Sequence, residues 1–141
     1  MTIQAQIRST IKVLLVQALP AVHVLMAPRY QLGKTHLPAL AIFGHEDRPL
    51  EADADTQQLH QRVYTVRVEV RVEDSPEDDC TDPLAKAIRR ALLTQDLALW
   101  PLVDQISWTS QMWTGDEGED PMSGTALDFE FVYQFDPSEE A

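Results

Sequence analysis

Apolar residues recur at steps of three and four along the first segment of the chain, which is typical of one buried face of an α-helix. The stripe consists of Ile3, Ile7, Ile11, Leu14, Leu15 and Ala18. Thr2 is a suitable N-cap, and Pro20 pushes the residue before it out of helical geometry. The pattern therefore predicts a helix over residues 3–19.

A second helix is predicted by its capping residues and by another apolar stripe. Asp82 is a good cap, and Pro83 suits the first helical position because its missing amide hydrogen is not needed there. The stripe is Leu84, Ile88, Ala91 and Leu92, opposite the basic residues Lys86, Arg89 and Arg90. We expect this helix to run to about Ala98.

Several segments have the short apolar runs or the period of two that indicate β-strands. Residues 22–26 are short and valine-rich, and residues 37–43 (LPALAIF) form an unbroken apolar run that suits a strand buried on both faces. The clearest alternation covers residues 62–73, where Tyr and Val alternate with Thr, Arg and Glu. Its polar face either meets water or pairs with charges on a neighbouring strand or subunit, and the solvated face is favoured.

Two more strands are predicted towards the end of the chain. Residues 106–114 place one set of side chains on a single face: Ile106, Trp108, Ser110 and Met112. Residues 126–135 present a largely aromatic row: Leu127, Phe129, Phe131, Tyr133 and Phe135. Because that row needs a large apolar partner, we predict an α+β fold, with a mixed, largely antiparallel β-sheet and two α-helices packed on one face.

The remaining segments are predicted to be loops of one single domain that spans residues 1–141. Residues 44–60 mix turn formers with acids and are expected to form a long exposed loop, and residues 115–124 form a second polar loop. The acidic tail, residues 136–141, is expected to be frayed. Long loops often carry contacts to partners.

The net charge of −12 is distributed unevenly along the 141 residues. Residues 1–72 contain eight Lys or Arg against six Asp or Glu, whereas residues 73–141 contain three against seventeen. Such an acidic surface repels phosphate, which argues against direct binding of DNA or RNA. No apolar run is long enough to span a bilayer, and the single cysteine, Cys80, excludes an internal disulfide, so a cytoplasmic location is expected.

The motifs that could carry chemistry are weak. Gly33-Lys34-Thr35 resembles the end of a phosphate-binding loop, but Pro28 stands where the first glycine is needed. The histidines lack the paired spacing of a metal site, and His45-Glu46-Asp47 is better interpreted as a solvated loop. Cys80 lies among acids, which raise the pKa of a thiol and make it a poor nucleophile.

No catalytic residue, cofactor or dedicated metal site is therefore predicted. Weak magnesium or calcium binding by an acidic loop stays open, and its ligands would be Asp116, Glu117, Glu119 and Asp120. Trp100, Trp108 and Trp113 are interpreted as core or edge packing rather than a ligand cage. Of the three, Trp113 is the one for which at least partial exposure is expected first, and it could anchor a subunit contact.

The order of these elements resembles the tail terminator proteins of long-tailed bacteriophages, the minor tail protein U family, over nearly the whole chain. The pieces that carry the resemblance are Leu37-Pro38-Ala39-Leu40-Ala41, the alternating strand over residues 62–73 and the aromatic strand over residues 126–135. The resemblance implies a non-enzymatic subunit that forms a hexameric ring on the last ring of tail-tube protein, ends tube growth and offers a surface to the head-tail connector protein.

The same resemblance implies a location in the bacterial cytoplasm during assembly and then in the virion tail, with no sequence-specific nucleic acid and no membrane as partner. The acidic half could let DNA pass through a ring without sticking. The candidate assembly residues are Glu46, Asp47, Arg48, Arg67, Glu69, Arg71, Trp113, Asp116 and Glu117. The alternatives are a connector or tail-completion subunit of another type, or a small α/β ligand-binding protein or enzyme.

Overall fold

The computed structural model describes residues 2–26, 39–50, 60–73, 82–94, 98–115 and 122–135. The elements in chain order are α1 (Ile3–Ala18), β1 (His23–Met26), β2 (Ala39–Pro49), β3 (His60–Glu73), α2 (Asp82–Leu93), β4 (Gln105–Gly115) and β5 (Met122–Phe135). The strands form one sheet in the order β1-β2-β3-β5-β4. Only the β1–β2 pairing among these strands is parallel, so the predicted α+β class with a mixed, largely antiparallel sheet is confirmed.

Helix α1 forms as its sequence predicts. The Thr2 side chain accepts a hydrogen bond from the Ala5 amide at 3.2 Å, which satisfies one of the free N–H groups of the first turn. The side chains that face the sheet are fully buried: Ile7, Ile11 and Leu15. The helix ends at Ala18, one residue before the predicted boundary.

Helix α2 begins at Asp82, one residue before the predicted first helical position at Pro83, and its predicted extension to Ala98 is wrong because the helix ends at Leu93. The Thr94 amide and the Thr94 hydroxyl both donate to the Arg90 carbonyl oxygen, at 3.1 and 2.5 Å. The side chains that the helix buries are Ala85, Ile88 and Leu92.

The core lies between the helices and the central strands β3 and β5, whose residues pair continuously from His60–Phe135 to Glu73–Met122. Strand β3 directs one set of side chains into the core: Tyr64, Val66, Val68, Val70 and Val72. Strand β5 directs another: Leu127, Phe129, Phe131 and Tyr133. The predicted packing of the aromatic row in one core with both helical stripes is confirmed.

A β-bulge corrects the expectation of a loop over residues 44–60. Strand β2 continues to Pro49 and stays paired with β3, with the register shifting between Gly44 and Glu46. The extra residue reverses which side chains face the helices, so Asp47 lies opposite Tyr64 on the helix-bearing face. Residues 44–49 show no clean period of two because one inserted residue interrupts the alternation, so the pattern predicts a loop where the strand continues.

A second bulge corrects the predicted facing of strand β4. The register with β5 shifts between Trp108 and Ser110. Beyond the bulge, Gln111 lies opposite the core residue Leu127, whereas Met112 lies opposite Ala126 on the helix-free face. The prediction that Ser110 and Met112 share a face with Ile106 and Trp108 is therefore wrong.

The predicted loop over residues 115–124 is also shorter than expected, because β4 includes Gly115 and β5 begins at Met122. Other sequence predictions lie outside the described residues. They concern the loop over 28–36, the Gly33-Lys34-Thr35 tripeptide, the acidic turn with Cys80, and the tail over 136–141.

Candidate functional site

The helix-free face of the sheet carries arginine and acid side chains that pair within the chain. Arg67 binds Asp128 on the neighbouring strand through two hydrogen bonds, at 2.8 and 3.1 Å. Arg71 pairs with Glu69 along the same strand at 2.7 Å between Nε and Oε1. The hydrogen bond from Asp128 raises the pKa of the Arg67 guanidinium, despite the opposing effect of partial burial.

These contacts decide between the two interpretations of the alternating strand. Its charges are half-buried and partnered rather than simply solvated, and the Asp128 side chain is only 13% exposed. Arg48 also reaches across to Glu130 at 3.2 Å. The helix-free face thus balances these charges with its own side chains.

Asp47 belongs to a polar cluster on the other face, beneath the first turn of α1. Its carboxylate accepts hydrogen bonds from Arg62 Nε at 2.7 Å, Tyr133 Oη at 2.5 Å and Gln4 Nε2 at 2.8 Å. Burial raises the pKa of the Tyr133 hydroxyl well above its ordinary value, and the hydrogen bond to Asp47 acts in the same direction. The cluster ties α1, β2, β3 and β5 together.

The outer edge of the sheet is a further candidate site, besides the helix-free face and the Asp47 cluster. Strand β4 ends the strand order and has no neighbour on its outer side among the described strands. Three large apolar side chains of β4 are well exposed: Trp108 at 44%, Met112 at 52% and Trp113 at 51%. An edge strand with a concentration of large apolar groups is a typical surface for contact with another protein.

An open groove separates α2 from the helix-facing side of β4, and we call it the α2–β4 groove. Its lining side chains are Asp82, Pro83, Lys86, Arg89, Trp108, Gln111 and Trp113. Arg89 stacks over the Trp108 ring with its Cζ atom 4.5 Å from the ring centroid, and its Nη1 donates to Gln111 Oε1 at 2.7 Å. Trp113 Nε1 donates to Asp82 Oδ1 at 3.1 Å.

The sequence-predicted site residues do not form one cluster. Glu46 and Arg48 share the helix-free face with Arg67, Glu69 and Arg71, so they lie on a strand rather than in the predicted loop. Asp47 points to the opposite face, and Trp113 lies at the β4 edge. Asp116 and Glu117 lie outside the described residues.

Trp113 is partly exposed, as predicted, and both Trp108 and Trp113 lie on the edge strand β4, so the edge alternative of the prediction applies to them. Trp100 is 43% exposed and Trp108 is exposed at the edge. Arg89 and Gln111 were not singled out as site residues. The spacing of Lys86 and Arg89 at i and i+3 was a usable signal, because such residues share a helix face.

Within the described parts of the chain, no group of three His, Cys, Asp or Glu side chains could hold a metal ion. None of the helices in those parts is long and apolar enough to cross a membrane.

The chain is similar to chains of known solved structures, of which one is described below. It belongs to a structure described as "Virion of native gene transfer agent (GTA) particle", with 14% sequence identity, a TM-score of 0.47, and coverage of 94% of this chain and 92% of that chain. No protein-family model matches the sequence, and no curated protein matches it.

Proposed function

We propose that this protein is a non-enzymatic virion subunit of a phage-like particle, and more specifically a tail terminator. In that role it forms a ring, hexameric in the assembled tail, on the last ring of tail-tube protein. It stops tube polymerisation and presents its other surface to the head-tail connector protein. The proposal places it in the virion tail after assembly in the bacterial cytoplasm.

The observation that carries a role in protein assembly is the β4 edge. Trp108, Met112 and Trp113 expose large apolar surfaces on a strand whose outer side has no neighbour among the described strands. Tryptophan and methionine are enriched in protein–protein interfaces, and buried tryptophans often supply much of the binding free energy. A ring subunit needs at least one such surface for its neighbour.

The more specific role rests on the resemblance in element order. The sequence order of helix, strands, second helix and closing strands is retained in the fold. The similar chain from the gene transfer agent virion, at 14% identity and a TM-score of 0.47, carries no argument for this role.

The decisive experiment disrupts the gene in its prophage and examines the particles by electron microscopy. A terminator predicts overlong tails, and complementation with the intact gene should restore normal length. Normal virions from the disrupted strain would overturn the proposal. Tails of normal length that lack heads would instead identify the alternative, a connector or tail-completion subunit.

A further inference from the structure

The α2–β4 groove is basic in a strongly acidic part of the chain. Residues 73–141 contain only three Lys or Arg residues, and these are Lys86, Arg89 and Arg90, all on α2. Two of the three, Lys86 and Arg89, line the groove beside Trp108 and Trp113. The groove therefore combines two cationic side chains, two tryptophans and the Asp82 carboxylate, in a part of the sequence that is otherwise rich in acid.

The groove is partly preorganised to receive a carboxylate. Arg89 is held by its stacking on Trp108 and by its bond to Gln111, so its orientation is fixed before a partner arrives. The Arg89 guanidinium uses Nη1 for Gln111 and has no other acceptor among the described residues. Lys86 has no partner among them either.

Charge complementarity points to another copy of the chain as the occupant. The sequence contains three acidic stretches, DSPEDD at residues 74–79, DEGED at 116–120 and DPSEE at 136–140. A second copy thus offers carboxylates at high density, and charge-assisted bonds to Lys and Arg are stronger than neutral ones. We infer that the α2–β4 groove binds an acidic stretch of a second copy, as a head-to-tail contact.

The same charges argue against a two-fold contact at this edge. Antiparallel pairing of β4 with β4 of another copy would continue the sheet and place the two α2 helices side by side on one face. Lys86, Arg89 and Arg90 would then lie near their counterparts and repel one another. A head-to-tail contact avoids that repulsion and is the type that generates rings.

This inference rests on the proposed self-association, and sedimentation velocity of the full chain over a range of concentration and salt tests it. The wild type should associate, and high salt should weaken the association. Lys86→Glu with Arg89→Glu should weaken it by about tenfold or more, because both attractive charges become repulsive. Arg90→Glu reverses one charge on the same helix outside the groove, so it is the matched control for Arg89→Glu alone and should have the smaller effect of the two.

Three acid-reversed variants identify the occupant: Asp78→Lys with Asp79→Lys, Glu117→Lys with Glu119→Lys, and Glu139→Lys with Glu140→Lys. Each is mixed with the groove-reversed variant. In a head-to-tail contact the mixture restores association with alternating copies, because the reversed groove then meets introduced lysines while the unchanged groove still meets an acidic stretch. Restoration also shows that the groove-reversed variant is folded, and circular dichroism checks each protein separately.

Each outcome decides the inference. Recovery by one of the mixtures supports it. Undiminished association of the groove-reversed variant overturns it while leaving a ring-forming terminator intact, and loss without recovery in any mixture excludes an acidic stretch of a second copy. A wild type that stays monomeric at every concentration and salt also overturns the inference, and the tail-length phenotype then tests the proposed function independently.

Discussion

At the scale of single residues, the close approach of Tyr64 restricts which side chain the sheet can accept at position 44. Gly44 of β2 pairs with Val66 of β3, and the Tyr64 side chain lies directly over Gly44. A Cβ atom at position 44 would lie 3.1 Å from the Tyr64 Cε1 and Cζ atoms and still closer to the hydroxyl oxygen. That hydroxyl accepts a hydrogen bond from Arg8 Nη1 at 2.5 Å, which links the strand to α1.

We therefore expect Gly44→Ala to lower the free energy of unfolding by about 1–3 kcal/mol, the usual cost of overpacking. Urea denaturation of the wild type and the variant measures the difference. In a Tyr64→Phe background the same change should cost less, because the closest atom has been removed. Equal costs in both backgrounds would show that the Tyr64 hydroxyl does not limit position 44.

Tyr133 gives a pH prediction at the residue scale. Its folded-state pKa is raised above the ordinary value of about 10, mainly by burial, so the folded protein keeps the hydroxyl protonated while the unfolded chain ionises. This contribution to stability is complete below pH 10 and is lost as the pH rises towards the folded-state pKa. We expect the free energy of unfolding to fall above about pH 10.

Urea denaturation between pH 8 and 11 measures that fall, with Tyr133→Phe as the comparison. The variant lacks the ionisable hydroxyl, so its stability should decline less steeply above pH 10, although its stability at pH 8 is lower because Asp47 loses a donor. Parallel curves for the two proteins would contradict the role assigned to Tyr133.

At the scale of elements, the two bulges decide which side chains meet the helices. In β2 the bulge turns Asp47 towards Gln4, Arg62 and Tyr133. In β4 it turns Gln111 and Trp113 towards α2 and leaves Met112 on the helix-free face. A strict alternation would place the residues beyond each bulge on the other face of the sheet from the one they occupy.

Substitutions in β4 test which of its side chains face the helices and which face away from them. Met112→Lys should change the free energy of unfolding by less than about 0.5 kcal/mol, because Met112 is exposed on the helix-free face. Ile106→Lys should cost more than about 2 kcal/mol, because Ile106 packs against the core. Thermal and urea denaturation measure both, and a costly Met112→Lys with a normal oligomeric state would favour the unbulged alternation.

At the scale of the whole molecule, the sheet has a stable centre and weaker edges. Strands β3 and β5 each have a hydrogen-bonded neighbour on both sides, whereas β1 and β4 lie at the ends of the strand order. The core residues of β3 and β5 are also almost entirely buried. Stability against local opening should therefore decrease from the centre outwards.

Hydrogen exchange followed by mass spectrometry tests this gradient. We expect the slowest exchange in peptides from residues 62–72 and 124–134, and faster exchange in peptides from 105–115. If β4 is covered by a second copy, its exchange should slow as the protein concentration increases. Protection of 105–115 equal to that of 62–72 in the monomer would contradict the gradient.

The sequence predicted the fold class because its strongest signals are periodic and local. The stripe of α1, the capping pair at α2 and the alternation of β3 and β5 each define a buried face without reference to distant residues. The sequence also shows that the excess of Asp and Glu lies in the second half of the chain, because that statement depends only on counting residues.

Tertiary structure alone decided the features that depend on pairing. The bulges at His45 and Thr109 have no periodic signature, since one extra residue becomes visible only against the partner strand. The α2–β4 groove likewise joins residues 82–89 to residues 108–113, which only the packing of α2 beside the edge strand brings together. A sequence pattern specifies which side of an element is buried, whereas its neighbour across the sheet is fixed by contacts between distant parts of the chain.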